Sequence, residues 1–97
     1  MSEDGQRIDR WLWHARFART RTAAQTLAES GHVRINREKT HSASRRLRTG
    51  DVLTIAFSQG VRVVRVRGFS ERRVGASVTG GLYEEIPANS SSAPSGE

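Results

Sequence analysis

The hydrophobic period of this chain changes at Gly31, and that switch limits what it can fold into more than any bulk property. Before it, Ile8, Trp11, Leu12 and Ala15 recur at i, i+3, i+4 and i+7, which lines up one apolar face of a helix expected over residues 8–18. A second helix follows. Thr20 is placed to cap its start, Ala23, Ala24, Leu27 and Ala28 form its buried stripe, and Gly31 supplies a left-handed residue at its end. After Gly31 the period is two. Val33 and Ile35 alternate with His32, Arg34 and Asn36, and Leu53, Ile55 and Phe57 alternate behind the turn Thr49-Gly50-Asp51. Ser58-Gln59-Gly60 is a further turn, leading into a strand over residues 61–69. There Val61 and Val63 give way to Val64 and Val66, a phase slip that means a bulge or a strand buried in part on both faces. Residues 71–86 are weakly patterned, and Gly75, Gly80 and Gly81 oppose a long helix. The expected class is α+β: an N-terminal helix pair packed on a small twisted antiparallel sheet of four to five strands.

A chain of 97 residues supports one such domain and no more. Residues 1–6 and the Ser-rich stretch 87–97 are too poor in apolar surface to offset the entropy of ordering them, so both ends are expected to be disordered around a single domain at 7–86. Its core should be thin and dependent on Trp11.

Charge points to the partner. The net charge is +6, but between Arg7 and Arg48 eleven basic residues face three acidic ones, a local net of +8, whereas residues 51–97 carry five of each. Such a field gathers polyanions and would repel itself without one, so nucleic acid is the first partner to consider. Fifteen of the sixteen basic residues are Arg, with Lys39 the exception. The planar guanidinium suits phosphates and bases, although a GC-rich genome gives the same bias. Arg16, Arg19 and Arg21 cluster around the break between the helices, with Arg7 and Arg10 in the first turns of helix one. If the helices pack as a pair, the joining segment becomes a basic knuckle, to which the N-terminus of helix two and the Thr20 hydroxyl add an anion site. Trp13 and Phe17, four apart, could stack on bases or pack against the sheet.

Other chemistries find little support. His14, His32 and His41 lack metal-ligand spacing, paired carboxylates occur only near the two ends, and there is no phosphate-binding Gly-rich loop. No Cys is present, so neither a disulfide nor a thiolate site is available. Without a signal-like start or a bilayer-length apolar run, a cytoplasmic protein is expected, with no catalysis, cofactor, metal, membrane contact or small-molecule substrate.

The residues Arg7-Ile8-Asp9-Arg10-Trp11-Leu12, then Thr20-Arg21-Thr22-Ala23-Ala24-Gln25 with Leu27, then Gly31-His32-Val33-Arg34-Ile35-Asn36 and Gly50-Asp51-Val52-Leu53 resemble the RNA-binding domain named after the fourth protein of the small ribosomal subunit, the alpha-L motif, over residues 7–56. A finer similarity, in Asp9-Arg10-Trp11-Leu12-Trp13, Ala15-Arg16-Phe17, Glu71-Arg72-Arg73 and Leu82-Tyr83-Glu84-Glu85, is to the small ribosome-associated heat-shock proteins of that superfamily and their short quality-control relatives. The resemblance implies a monomeric, non-enzymatic protein that binds structured ribosomal RNA and tRNA, on large subunits still carrying a stalled nascent chain. By match to the family's RNA-facing positions, Arg7, Arg10, Arg16, Arg19, Thr20, Arg21 and Gln25 would line the helical side of the site, with His32, Asn36 and Lys39 on the adjoining strand and turn.

Departures matter as well. The family's Asn-Gly turn is Asn36-Arg37 here, and its Ser-Arg helix opening is Thr20-Arg21. Where the heat-shock members carry a long basic C-terminal extension, this chain has Ser90, Ser91, Ser92 and Gly96, which shifts the expectation toward the shorter quality-control type. Two other classes compete: an RNA-targeting subunit of an RNA-modifying enzyme, which would need a separate catalytic chain, and a DNA-binding regulator, which the strands after Val33 disfavour.

Overall fold

The computed structural model describes residues 5–87. In chain order it contains β1 (Gln6–Arg7), α1 (Ile8–His14), α2 (Arg21–Glu29), β2 (Val33–Ile35), β3 (Glu38–Thr40), β4 (Arg46–Leu47), β5 (Val52–Phe57), β6 (Gly60–Val66), a 3-10 helix (Ala76–Gly81) and β7 (Tyr83–Ile86). Five strands form one antiparallel sheet in the order β3-β2-β5-β6-β7, and β1 pairs with β4 in a separate two-stranded ribbon. The α+β reading holds, with the sheet at the upper end of the expected strand number.

Most of both termini expected to be disordered lies outside the described residues. Gln6 differs from that expectation: it pairs with Leu47, and its side-chain amide donates to the Ser70 carbonyl at 2.8 Å. The phase slip in β6 is resolved without a bulge, because β5 and β6 pair continuously from Val52↔Arg65 to Phe57↔Gly60. Val64 and Val66 are buried against the helices, while Val63 is half-buried on the opposite face. β6 is a strand that uses both faces.

The core joins Ile8, Trp11, Leu12 and Ala15 of the first helical stretch and Ala24 and Ala28 of α2 to Val33, Ile35, Leu53, Ile55, Val64 and Val66 of the sheet. Trp11 lies at its centre, fully buried, with its indole N–H donating to the Gly68 carbonyl at 3.0 Å. Its ring stacks on Phe17 at 5.7 Å and meets Tyr83 edge-on at 6.2 Å.

Helix one is shorter than its periodicity suggests. The spacing predicts a helix over residues 8–18, but α1 stops at His14 because Arg16 adopts a left-handed conformation, φ 71°. Its amide then donates to Trp13 O at 3.1 Å and that of Phe17 to Leu12 O at 2.9 Å, the paired bonds that close a helix and satisfy its last carbonyls. Phe17 thereby turns inward and becomes core. Helix two keeps its expected limits: the Thr20 hydroxyl accepts from the Ala23 amide at 3.0 Å, and Gly31 takes φ 87° just past the end.

Asn36 and Arg37 form the two-residue turn between β2 and β3 with φ of 52° and 80°, the mirror-image turn that favours hairpins and prefers Asn-Gly. Asn36 suits it, and its side chain reinforces the turn by donating to Asp51 Oδ1 and accepting from the Val52 amide, both at 3.0 Å. Arg37 is strained there, since a Cβ in the left-handed region costs about 1 kcal/mol. Arg37→Gly is accordingly expected to raise the unfolding free energy by about 0.5–1 kcal/mol, read as a higher urea midpoint at unchanged slope.

His14 is buried at the end of α1, with Nδ1 2.9 Å from the Ser70 carbonyl. Burial lowers its pKa, the Ser70 hydrogen bond opposes this, and the positive charges of Arg10 and Arg21 lower it further. The unfolded chain therefore binds this proton more readily than the folded one. Stability should be unaffected by this group above pH of about 6.5 and fall below it, by at most about 1.4 kcal/mol per pH unit. His14→Gln should remove that slope from pH-dependent urea melts, and an unchanged slope would assign it to other groups.

Candidate nucleic-acid interface

The helix pair builds its basic end from the inside outward. Asp9, in the first turn of α1, is 1% exposed, and a buried carboxylate must be fully partnered. Its Oδ1 accepts from the Arg10 amide at 2.7 Å and from Arg7 Nε at 3.2 Å, and its Oδ2 accepts from Arg7 Nη2 at 3.1 Å with Arg21 Nη2 3.6 Å away. Arg7, just before α1, and Arg21, opening α2, are thus gathered on one anion with side chains still 45% and 44% exposed. One buried charge orients two cations toward solvent.

The connecting knuckle contributes the rest of this end. Arg16, Arg19 and Thr20 are exposed, and Arg16 Nη1 reaches the Val74 carbonyl at 3.3 Å. Arg10 is exposed on α1, close enough to depress the His14 pKa along with Arg21. Gln25 lies one turn beyond Arg21 on α2, exposed and 3.4 Å from Glu29. The Thr20 cap marks the positive end of the α2 dipole within this cluster.

The remaining three expected positions stand apart from the knuckle. His32 and Lys39 are exposed beyond the far end of α2, where Gly31 packs within reach of Lys39 and His41. The Asn36 amide is held by Asp51 and Val52 at the hairpin, so its polar groups already serve the fold. Phe17, considered for base stacking, is instead buried against Trp11 and Tyr83, with the Arg62 guanidinium 5.0 Å over its ring. Arg62 is itself tied to Glu85 by two hydrogen bonds, which hold that carboxyl below its ordinary range. Arg65 pairs with Glu84 at 3.5 Å on the other face, so two of the five later arginines are neutralised in cross-strand pairs. Arg67 and Arg72 are exposed as well, so the later segment keeps some positive charge, while most of it lies before residue 49.

Asp9 and Arg73 are the residues that sequence reasoning did not assign. Asp9 could have been found from its place between Arg7 and Arg10 at a helix start. Arg73 donates from Nε to Trp13 O at 3.2 Å and from Nη2 to Ala18 O at 3.3 Å, contacts across 60 and 55 residues that no local pattern announces.

A model of the S4 domain family matches residues 6–53. The chain is 33% identical over 89 residues to a heat shock protein 15 homolog from Haemophilus influenzae, covering 92% of this chain and 67% of that protein. It is 31% identical over 71 residues to the small ribosomal subunit protein uS4 of Erythrobacter litoralis, covering 71% of this chain and 35% of that protein. A trimeric structure of heat shock protein 15 from Vibrio cholerae superposes with a TM-score of 0.81 at 27% identity, covering 94% of this chain and 91% of that one. The chain spans between 59% and 67% of the length of the heat shock protein 15 relatives from Haemophilus influenzae, Aeromonas salmonicida and Escherichia coli.

Proposed function

The chain belongs to the S4 domain family, in the branch that holds heat shock protein 15, and from that premise we propose that it is a non-enzymatic protein of the bacterial cytoplasm that binds structured ribosomal RNA and tRNA. Its site is the large ribosomal subunit carrying a stalled nascent chain, and the whole of residues 7–86 acts as one RNA-binding domain. The observation that carries the reading is the knuckle. Arg7, Arg16, Arg19 and Arg21 present exposed guanidinium groups around the α2 N-terminus, and two of them, Arg7 and Arg21, are paired with the buried Asp9. Planar forks at a positive helix end are suited to phosphate oxygens.

Arginines on the helix pair grip phosphates, and Thr20, Gln25, His32, Asn36 and Lys39 supply the contacts that sense shape or base. Binding rather than catalysis fits the buried titratable groups, since Asp9 and His14 are both committed to internal partners. Among the described residues no helix is long and apolar enough to cross a membrane.

The test is sedimentation of the tagged protein from stressed cells through a sucrose gradient. Travel with free large subunits that carry tRNA is expected, and recovery only at the top of the gradient would count against the ribosomal reading. We place one copy at each site. Light scattering that returned the mass of three chains, as in the trimeric Vibrio cholerae structure, would replace the monomer with that assembly.

A further inference from the structure

Residues 68–75 leave β6 and return along α1, outside the part of the chain that matches the S4 domain. The hydrogen bonds along this strap are spread over its whole length. Gly68 O receives the Trp11 indole, Ser70 O receives the Gln6 amide and lies against His14, and the Val74 amide donates to His14 O at 3.2 Å. At the far end the strap and the knuckle exchange arginines: Arg16 bonds Val74 O, while Arg73 spans Trp13 O at the end of α1 and Ala18 O inside the loop.

We propose that Arg73 is a positioning residue for RNA binding, a latch whose single guanidinium ties together the two carbonyls on either side of Arg16 and so sets where Arg16, Arg19 and Arg21 stand. The inference rests on the knuckle being the RNA contact. Three physical points support it. Carbonyls at a helix C-terminus carry the negative end of the dipole and take a cation readily. A planar fork donates from two nitrogens in a fixed geometry, which the single nitrogen of an ammonium does not reproduce. Arg73 is half-buried and commits both Nε and Nη2 to the backbone, so it faces the knuckle rather than the solvent side where a phosphate would lie. Without it, a loop that departs from helix at a left-handed arginine would lose the contact that joins its two ends.

The experiment measures binding of the purified full chain to free large ribosomal subunits across a salt series, for the parent, Arg73→Lys, Arg73→Ala and Arg16→Ala, with amide exchange recorded alongside. Both Arg73 variants should bind about five- to tenfold more weakly, with the parent's slope of log K against log salt. Exchange of the Arg16 and Phe17 amides should quicken while that of Leu53 and Ile55 stays as in the parent. If Arg73→Lys restored binding, or Arg73→Ala lowered the slope by about 1, Arg73 would be a direct phosphate contact and the latch would be wrong. Should Arg73→Ala unfold, the Lys variant decides alone, because it keeps the charge and loses only the bridge. Arg16→Ala separates the two levels. Loss there with parent-like Arg73 variants removes the latch only, whereas parent-like binding by Arg16→Ala removes the knuckle and the latch with it.

Discussion

Asp9→Ala is expected to weaken RNA binding about tenfold although it makes the protein more positive. Bulk electrostatics predicts the opposite sign, because the net charge rises from +6 to +7 and the field that gathers a polyanion grows. The difference lies in orientation. Asp9 is buried and holds Arg7 by two hydrogen bonds, Arg21 by an ion pair and the Arg10 amide by a third hydrogen bond. Without the carboxylate, two long side chains regain rotamer freedom that must be lost again on RNA, at about 0.5–1.5 kcal/mol each. The fold also suffers. A charge-assisted hydrogen bond contributes about 1.5–3 kcal/mol, but Arg7 and Arg21 are nearly half exposed and can rehydrate, so a stability loss of about 2–3 kcal/mol is expected. Urea melts and subunit binding, measured where the variant stays folded, read the two effects separately. Tighter binding by Asp9→Ala would mean that net charge, not arrangement, governs this interface.

The readable part of the chain is its periodic part. Ala24, Ala28, Val33, Ile35, Leu53 and Ile55 are buried where the switch at Gly31 places them, because repeating faces must meet a common core. Local capping chemistry was legible for α2, where Thr20 and Gly31 have one obvious use each. It failed for α1, since an arginine at φ 71° gives no sign in sequence, and Ala15 and Ala18, three apart, continue the apolar spacing across the break. β7 was missed for a related reason. Tyr83-Glu84-Glu85-Ile86 reads as polar, yet Glu84 and Glu85 find Arg65 and Arg62 on β6, so pairing across the sheet replaces the missing hydrophobic alternation. The clustered arginines were visible as composition. The Asp9 contacts to Arg7 and the Arg10 amide are local and could be read from a carboxylate between two arginines, whereas the Arg73 bonds to Trp13 O and Ala18 O are tertiary contacts that no local pattern announces.

Arg16→Gly should stabilise the protein and weaken its RNA binding together, a pairing that ordinary loss of structure cannot produce. Glycine takes φ 71° freely, so removing the Cβ relieves about 1 kcal/mol of backbone strain, offset in part by the greater freedom of glycine in the unfolded chain. A net gain of about 0.5 kcal/mol is expected from the urea midpoint. At the same time one exposed guanidinium leaves the knuckle, and binding to large subunits should fall about tenfold with the salt slope reduced by about 1. Combining it with Arg21→Ala removes a second phosphate contact, for a loss of about a hundredfold and a slope lower by nearly 2. Arg37→Gly is the control, since it relieves the same kind of strain at the hairpin, away from the helix pair, and should stabilise the fold while leaving most of the affinity intact. Strain retained at Arg16 is then the cost of placing a cation where the helix ends. If Arg16→Gly stabilised the chain and bound subunits as tightly as the parent, that strain would have no bearing on RNA, and the site would have to move to the hairpin side around His32 and Lys39.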